Sequence, residues 1–290
     1  MSHTVHWLEP LLPSPISDAL LAKAADVIEC ARQFKASVAD YHIDQRIRSF
    51  RIANSLYSNL LEGVEVSYAS LSPDVKWDKS EPPLNVGEAH IRTQAHFEQL
   101  EMFSPDGSCD WSDTFSIEVV TSLHRHLFEP LDPQDMQLGM GQILVPGQLR
   151  SASERNVLVG RHSAPDWQIV EAMLKRMQQA YGMQRDPRCQ LIACLAFHHR
   201  LAYVHPFDDG NGRVGRLLLH LQLQRLGLEP KLWSICQTIY EQRQEYFAAL
   251  ANADQNRRGD LDGRGQLTQA GLVDVIGLLL QAIRRSAKFL

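Results

Sequence analysis

The chain has 290 residues, with 29 Lys and Arg against 34 Asp and Glu and a formal charge of −5. Hydrophobic residues make up 44% and charged residues 22%, an ordinary globular balance that excludes a disordered chain. The mild acidity leaves no electrostatic footprint for nucleic acid, which needs a basic domain or stripe.

The N-terminus opens Met1-Ser2-His3-Thr4-Val5, with no basic region leading into an apolar run, so no signal peptide is read. A first helix is predicted over 17–36, with Leu20, Ala24, Val27, Cys30, Ala31 and Phe34 at helical spacing. A second, over 43–63, carries Ile43, Ile47, Phe50, Ala53, Leu56, Leu60 and Leu61 and stops at Gly63. Pro73, Pro82 and Pro83 mark a loop, helical pattern resumes over 87–103, and Pro105-Asp106-Gly107-Ser108 reads as a turn. Another helix is predicted over 112–128. Residues 142–160 differ: glycines, Pro146 and the run Val157-Leu158-Val159 suggest a hairpin, the one strand pair expected in the chain.

Further helices are predicted over 165–181, 187–203, 211–226, 239–252 and 268–287, giving a mainly α fold. No apolar run approaches the ~20 residues of a membrane span. The five cysteines show no metal-ligand spacing and fit a reducing compartment, so the expectation is a cytoplasmic protein with no membrane contact.

One stretch concentrates chemistry: His205-Pro206-Phe207-Asp208-Asp209-Gly210-Asn211-Gly212-Arg213-Val214-Gly215-Arg216. Pro206 disfavours continuation of the preceding helix, and a glycine-rich loop then leads into a new helix at its N-terminus. Such a terminus offers free backbone N–H groups and the positive end of the dipole, which suit an anion. Arg213 and Arg216 share a helical face and can bind polyphosphate. Asp208 and Asp209 offer oxygen ligands for Mg²⁺, and His205 is an acid or base that titrates near neutrality. Gly210, Gly212 and Gly215 also match a dinucleotide-binding fingerprint, but that motif must follow a strand, and here a helix precedes it.

The run resembles the Fic signature, His-Pro-Phe-x-Asp/Glu-Gly-Asn-Gly-Arg-x-x-Arg, at every specified position, and the likeness extends over roughly 110–260. The resemblance implies a Fic helical bundle with a small β-hairpin flap. It also implies Mg²⁺-dependent transfer of AMP from ATP to a Ser, Thr or Tyr hydroxyl of a protein. In that reading His205 is the general base and Asp209 holds Mg²⁺. Gly210, Asn211 and Gly212 form the anion hole, Arg213 and Arg216 contact phosphates, and Phe207 anchors the loop. The intact Gly212-Arg213 favours AMP transfer over the phosphate transfer of the kinase branch.

Ser58-Asn59-Leu60-Leu61-Glu62-Gly63 resembles the Fic inhibitory motif. It implies that Glu62, with Ser58 one turn before it, pairs with Arg216 in the place of the ATP γ-phosphate; Glu65 is a nearby competitor for that role. Pro146-Gly147-Gln148-Leu149-Arg150 followed by Val157, Leu158 and Val159 looks like the flap, whose edge would take an extended target segment. Tyr246 and Phe247 are expected to face adenine, with Asp254 near the sugar or base edge. The expected division is an N-terminal helical region, 1–105, carrying the inhibitory helix, and a Fic core with C-terminal helices, 106–290. The expected partners are a protein with an accessible hydroxyl, the chain itself as an auto-modification target, and a second copy in a homodimer. Direct DNA binding is not expected. Two alternatives stand beside AMP transfer: an ATP-sensing interaction module with little turnover, and removal of AMP at the same site.

Overall fold

Two helices buried on all sides form the centre of the molecule. This computed structural model describes residues 4–38, 42–80, 82–100, 110–151, 158–159 and 162–288. Ten α-helices run through them: α1 (Asp18–Ser37), α2 (Ile43–Leu61), α3 (Val86–Glu98), α4 (Ile117–Phe128), α5 (Trp167–Gly182), α6 (Pro187–Val204), α7 (Asn211–Arg225), α8 (Ile235–Glu241), α9 (Arg243–Ala253) and α10 (Gln269–Ser286). The strands β1 (Leu158–Val159) and β2 (His162–Ser163) form one antiparallel pair, with Leu158 opposite Ser163 and Val159 opposite His162.

The central pair is α6 and α7. In α6, 13 of 18 residues are buried, and in α7, 13 of 15. Helices buried on nearly every face have little solvent face and must be enclosed by others. Here α1, α5 and α10 pack on α6, while α2, α3 and α4 pack on α7. One continuous apolar core includes Leu20, Val27 and Phe34 of α1 with Leu195, Phe197 and Leu201 of α6 and Leu218 of α7.

Side-chain caps explain where the helices start. Ser17, Ser116, Asp166, Asp186, Ser234 and Thr268 each accept an N–H from the first turn that follows. Asn85 and Glu88 form a reciprocal capping box at α3. Glu62 closes α2, and Gly63 follows at φ +73°, a left-handed conformation that glycine adopts without cost.

Three predicted elements differ from the structure. The helix expected over 112–128 is broken at Ser116, whose hydroxyl caps α4, and a 3₁₀ turn, Trp111–Phe115, precedes it. The helix expected over 239–252 is two, α8 and α9, meeting at Gln242 with ψ 35° and no glycine or proline to announce it. The hairpin is also re-drawn. β1 pairs with β2, not with 146–150, because Arg150 is drawn into the interior. The turn at 105–108 and the end of the helix expected over 87–103 fall outside the described residues, as do the conformation of Val157 and the side chains of Leu158 and Val159.

Candidate active site

The carboxyl end of α6 and the amino end of α7 meet at the wall of a cavity of about 640 Å³. Its lining includes Glu62 from α2, His162 from β2, His205, Asn211, Gly212 and Arg216 from the loop and α7, and Tyr246, Phe247 and Asp254 from α9 and its end.

Packing shapes the loop. Phe207 is fully buried and stacks on His124 at 3.9 Å between centroids, and His124 in turn stacks on Phe128 at 4.6 Å. Gly210 sits at φ +80°, and a Cβ there would collide with the Phe128 ring, so conformation and space both require glycine. The Asn211 side chain closes the turn on Phe207: Nδ2 donates to its carbonyl at 2.8 Å and Oδ1 accepts its N–H at 2.9 Å. Its amide is therefore spent on the loop, and what it offers a ligand is its place at the first turn of α7, where N–H groups have no intrahelical acceptor.

His124 secures the loop from below. The Gly147 N–H donates to its Nδ1 at 2.8 Å, which makes that nitrogen the acceptor and leaves Nε2–H to donate to the Asp209 carbonyl at 3.2 Å. Burial lowers its pKa to about 3, so the ring stays neutral in this role.

His205 follows α6 in a left-handed conformation, φ 49° and ψ 63°. Near-neutral titration is not what the site gives it. Burial first, with the positive charge of Arg150 and the neighbouring His162, lowers its pKa to about 4; a hydrogen bond to the Ala202 carbonyl and the charge of Glu62 act the other way. The ring is neutral at neutral pH and offers a lone pair.

The two arginines separate. Arg216 is 2% exposed and points back to α2. Its Nε donates to Ser58 Oγ at 2.9 Å, and its Nη2 donates to the Ser58 carbonyl at 2.8 Å and to Glu62 Oε1 at 2.6 Å. Burial alone would raise the Glu62 pKa, but the charge and hydrogen bond of Arg216 outweigh it and hold the carboxyl below its ordinary value. The Glu62 carboxylate also lies against the Gly212 backbone, where a Cβ would overlap it. It thus occupies the anion position at the amino end of α7. Glu65 is exposed and is not part of the cavity wall. Arg213, by contrast, donates to Asp209 Oδ2 at 2.9 Å and stacks over Phe128 at 4.8 Å, so the shared helical face does not bring both guanidinium groups to the cavity.

Tyr246 is buried, and it lies beside Arg216. His198 Nδ1–H donates to the Gly215 carbonyl at 3.2 Å, so its Nε2 accepts from the Tyr246 hydroxyl at 2.8 Å. Tyr246 therefore supports Arg216 as well as lining the cavity, and burial raises its pKa to about 12. Phe247 is 46% exposed at the rim. Asp254 Oδ1 lies 3.2 Å from His199 Nε2, and His199 receives Arg200 Nη1 at 2.7 Å on its other nitrogen.

The resemblance to the Fic signature implies Mg²⁺. Among the described residues no three His, Cys, Asp or Glu side chains gather into a metal-binding group. Mg²⁺ held by nucleotide phosphates needs only one or two protein carboxylates. Asp209, with a side chain 52% exposed at the amino end of α7, fits as one such ligand. Sequence reasoning missed Arg150, His124 and His162 as parts of this site; the histidines carried no local signal, and Arg150 was read as flap.

A helical protein with a glycine-rich loop between its two central helices, a histidine at the loop entrance and a buried arginine behind it defines the class. Residues 114–223 match the Fic/DOC family. It is 31% identical over 139 residues to protein adenylyltransferase fic-1 of Caenorhabditis elegans, covering 48% of this chain and 24% of that protein. It is 27% identical over 147 residues to protein adenylyltransferase Fic of Nematostella vectensis, covering 49% and 30%. The chain thus spans about a quarter of the length of these relatives. In fold it is similar to residues 134–508 of C. elegans Fic-1 (TM-score 0.65, 18% identity, 95% of this chain and 73% of that one). It is also similar to a Fic-domain-containing signaling protein of Bacteroides thetaiotaomicron (TM-score 0.63, 18% identity, 91% and 95%). Among the described residues no helix is long and apolar enough to cross a membrane.

Proposed function

We propose that this chain is a protein adenylyltransferase that moves AMP from ATP to a protein hydroxyl and is restrained by its own Glu62. The observation that carries the reading is the convergence on one cavity of three groups: the neutral His205, the open amino end of α7, and Arg216 with the Glu62 carboxylate already in the anion position.

In the reaction, the target hydroxyl oxygen attacks the α-phosphorus of ATP. The bond from the α-phosphorus to the bridging oxygen breaks, pyrophosphate leaves, and the hydroxyl proton passes to the His205 lone pair. A triphosphate beside the ring acts on it as the Glu62 charge does, raising its basicity at the moment it is needed. The N–H groups at the start of α7 and Arg216 hold the phosphates. Asp209 would hold Mg²⁺ beside the nucleotide, where the ion would supply charge neutralisation.

Glu62 and a terminal phosphate cannot share Arg216. With Glu62 docked, a nucleotide is displaced from in-line alignment, and misplacement by ~1 Å costs ~100-fold in rate. Self-modification and a Ser, Thr or Tyr target belong to the same proposal.

Intact-mass analysis with ATP and Mg²⁺ tests it. Glu62→Gly should gain the mass of AMP at least ~10-fold faster than the parent. Adding His205→Ala to that variant should remove the product, a loss of at least ~100-fold. ATP binding by Glu62→Gly without any covalent AMP sinks the reading and favours a nucleotide-sensing module.

A further inference from the structure

Arg150 lies in the segment that the sequence assigns to the flap, yet it is 2% exposed. Its Nε donates to the His205 carbonyl at 2.7 Å, and its Nη2 donates to the carbonyls of Val204 at 3.1 Å and Pro165 at 2.9 Å. Its own backbone N–H donates to the Pro206 carbonyl at 2.9 Å. One residue thus joins three pieces of chain: the segment before the hairpin, the stem just after β2, and the end of α6.

The end of α6 needs such a partner. Its last carbonyls have no intrahelical donors, and the negative end of the dipole favours a cation there. His205 is held in a left-handed conformation that a β-carbon disfavours, so its surroundings must impose it. Besides Arg150, the constraint comes from the His205 N–H, which donates to Leu201 at 3.0 Å. A second tie runs alongside: His162 Nε2 donates to the Tyr203 carbonyl at 2.7 Å, fastening β2 to the same helix end.

Resting on the adenylyltransferase reading, we propose that Arg150 is a positioning residue that fixes the backbone of the base and the stem of the β1–β2 hairpin as one unit. The strand that would present the target and the imidazole that would take its proton are then placed by a single planar guanidinium. A lysine has no such fork, and could reach fewer of the three carbonyls at once. The charged and titratable groups facing His205 are Arg150, His162 and Glu62. Of these, Arg150 helps to keep the ring unprotonated.

Two variants separate this role from simple stabilisation, each made in the Glu62→Gly background. Arg150→Gln removes the charge and most of the fork; Arg150→Lys keeps the charge and loses the fork. The first readout is the NMR titration of the His205 imidazole, assigned against His205→Ala. The second is the split between kcat and KM for ATP in AMP transfer. The Gln variant should move the His205 midpoint up toward the ordinary histidine range. The Lys variant should leave that midpoint near the parent's. In both, kcat should fall by about tenfold or more while KM for ATP changes by less than about twofold, the pattern of a lost alignment rather than lost binding.

The proposal is overturned if Arg150→Gln leaves the His205 midpoint unmoved, or if either variant keeps the parent kcat. If the Gln variant fails to fold, an Arg150→Lys chain with parental kcat and KM overturns it alone. The titration reads the ring without turnover. Absence of AMP product from the Glu62→Gly parent would therefore refute the adenylyltransferase reading while the role of Arg150 is still decided.

Discussion

Glu62 and Arg216 are separated by 154 positions in the chain, and their side chains meet at 2.6 Å. The contact joins the last residue of α2's cap to the second turn of α7. Ser58, one turn earlier, engages the same guanidinium through its hydroxyl and its carbonyl. Arg216 is thus held by α2 at three points, and whatever moves α2 frees the arginine and vacates the anion position together.

A second contact governs how firmly α2 stays in place. Glu98 of α3 is buried between Arg51 of α2, at 2.8 Å, and His220 of α7, at 2.8 Å. Removing one member of a buried ion pair leaves the other uncompensated and costs ~3–5 kcal/mol. Arg51→Ala, at the milder edge of this network, should raise AMP transfer by the otherwise parental chain several-fold, on the order of 3- to 10-fold. It should add nothing in the Glu62→Gly background. Parallel mass-spectrometric rates for the four chains check this, and equal gains in both backgrounds would refute it.

The low basicity of His205 predicts the pH dependence of the reaction. In the proposed reaction the base works when unprotonated, so activity should be present above its pKa and lost as pH falls through it. With that pKa lowered to about 4, the acid limb of kcat/KM, which reports the free enzyme, should lie nearer pH 4 than pH 6.5. A limb near 6.5 would mean that the ring is solvated in solution.

Acid should unfold the protein through histidines that have no chemistry to do. Burial lowers His90 and His124 to about 3 and His198 to about 4, from an ordinary value of 6.5. For such groups the unfolded chain binds the proton more readily. Their contribution to stability is complete above pH 6.5 and is lost as pH falls through that value toward the folded pKa values. Tm by scanning calorimetry should be level from pH 8 to 7 and should drop by about 10 °C or more between pH 6.5 and 4.5. A flat profile across that window is the contrary result.

How much of this was readable from sequence depended on whether the signal was local. The His205–Arg216 loop and the glutamate before Gly63 are contiguous strings, and their spacing marked out residues that line one cavity. The helices with polar caps and regular apolar spacing were equally plain. The break at Gln242 was not, because no breaker residue stands there and the packing of α8 and α9 imposes it. Arg213 and Arg216 looked alike at helical spacing, and only the presence of Asp209 and Phe128 on one side and α2 on the other divides them. Arg150 was hidden because its partners, the carbonyls of 165, 204 and 205, have no sequence signature at all. The depressed basicity of His205 required knowledge of burial.

Gly212 supplies a test of the packing itself. Because a Cβ at this position would overlap the Glu62 carboxylate, Gly212→Ala should destabilise the parent chain. It should cost at least ~1 kcal/mol less in a Glu62→Gly background, where that space is free. A double-mutant cycle of urea unfolding measures the difference, and a coupling near zero would place the carboxylate elsewhere.

The surface by which α2 rests on its neighbours has one more consequence. Of its six buried residues, four are Asn54, Ser55, Ser58 and Asn59. Amides and hydroxyls recover hydration when they separate, whereas leucines would not. A liberated α2 would wet its own underside instead of seeking another oily patch, so the active form should stay dispersed at concentrations where an apolar hinge would clump.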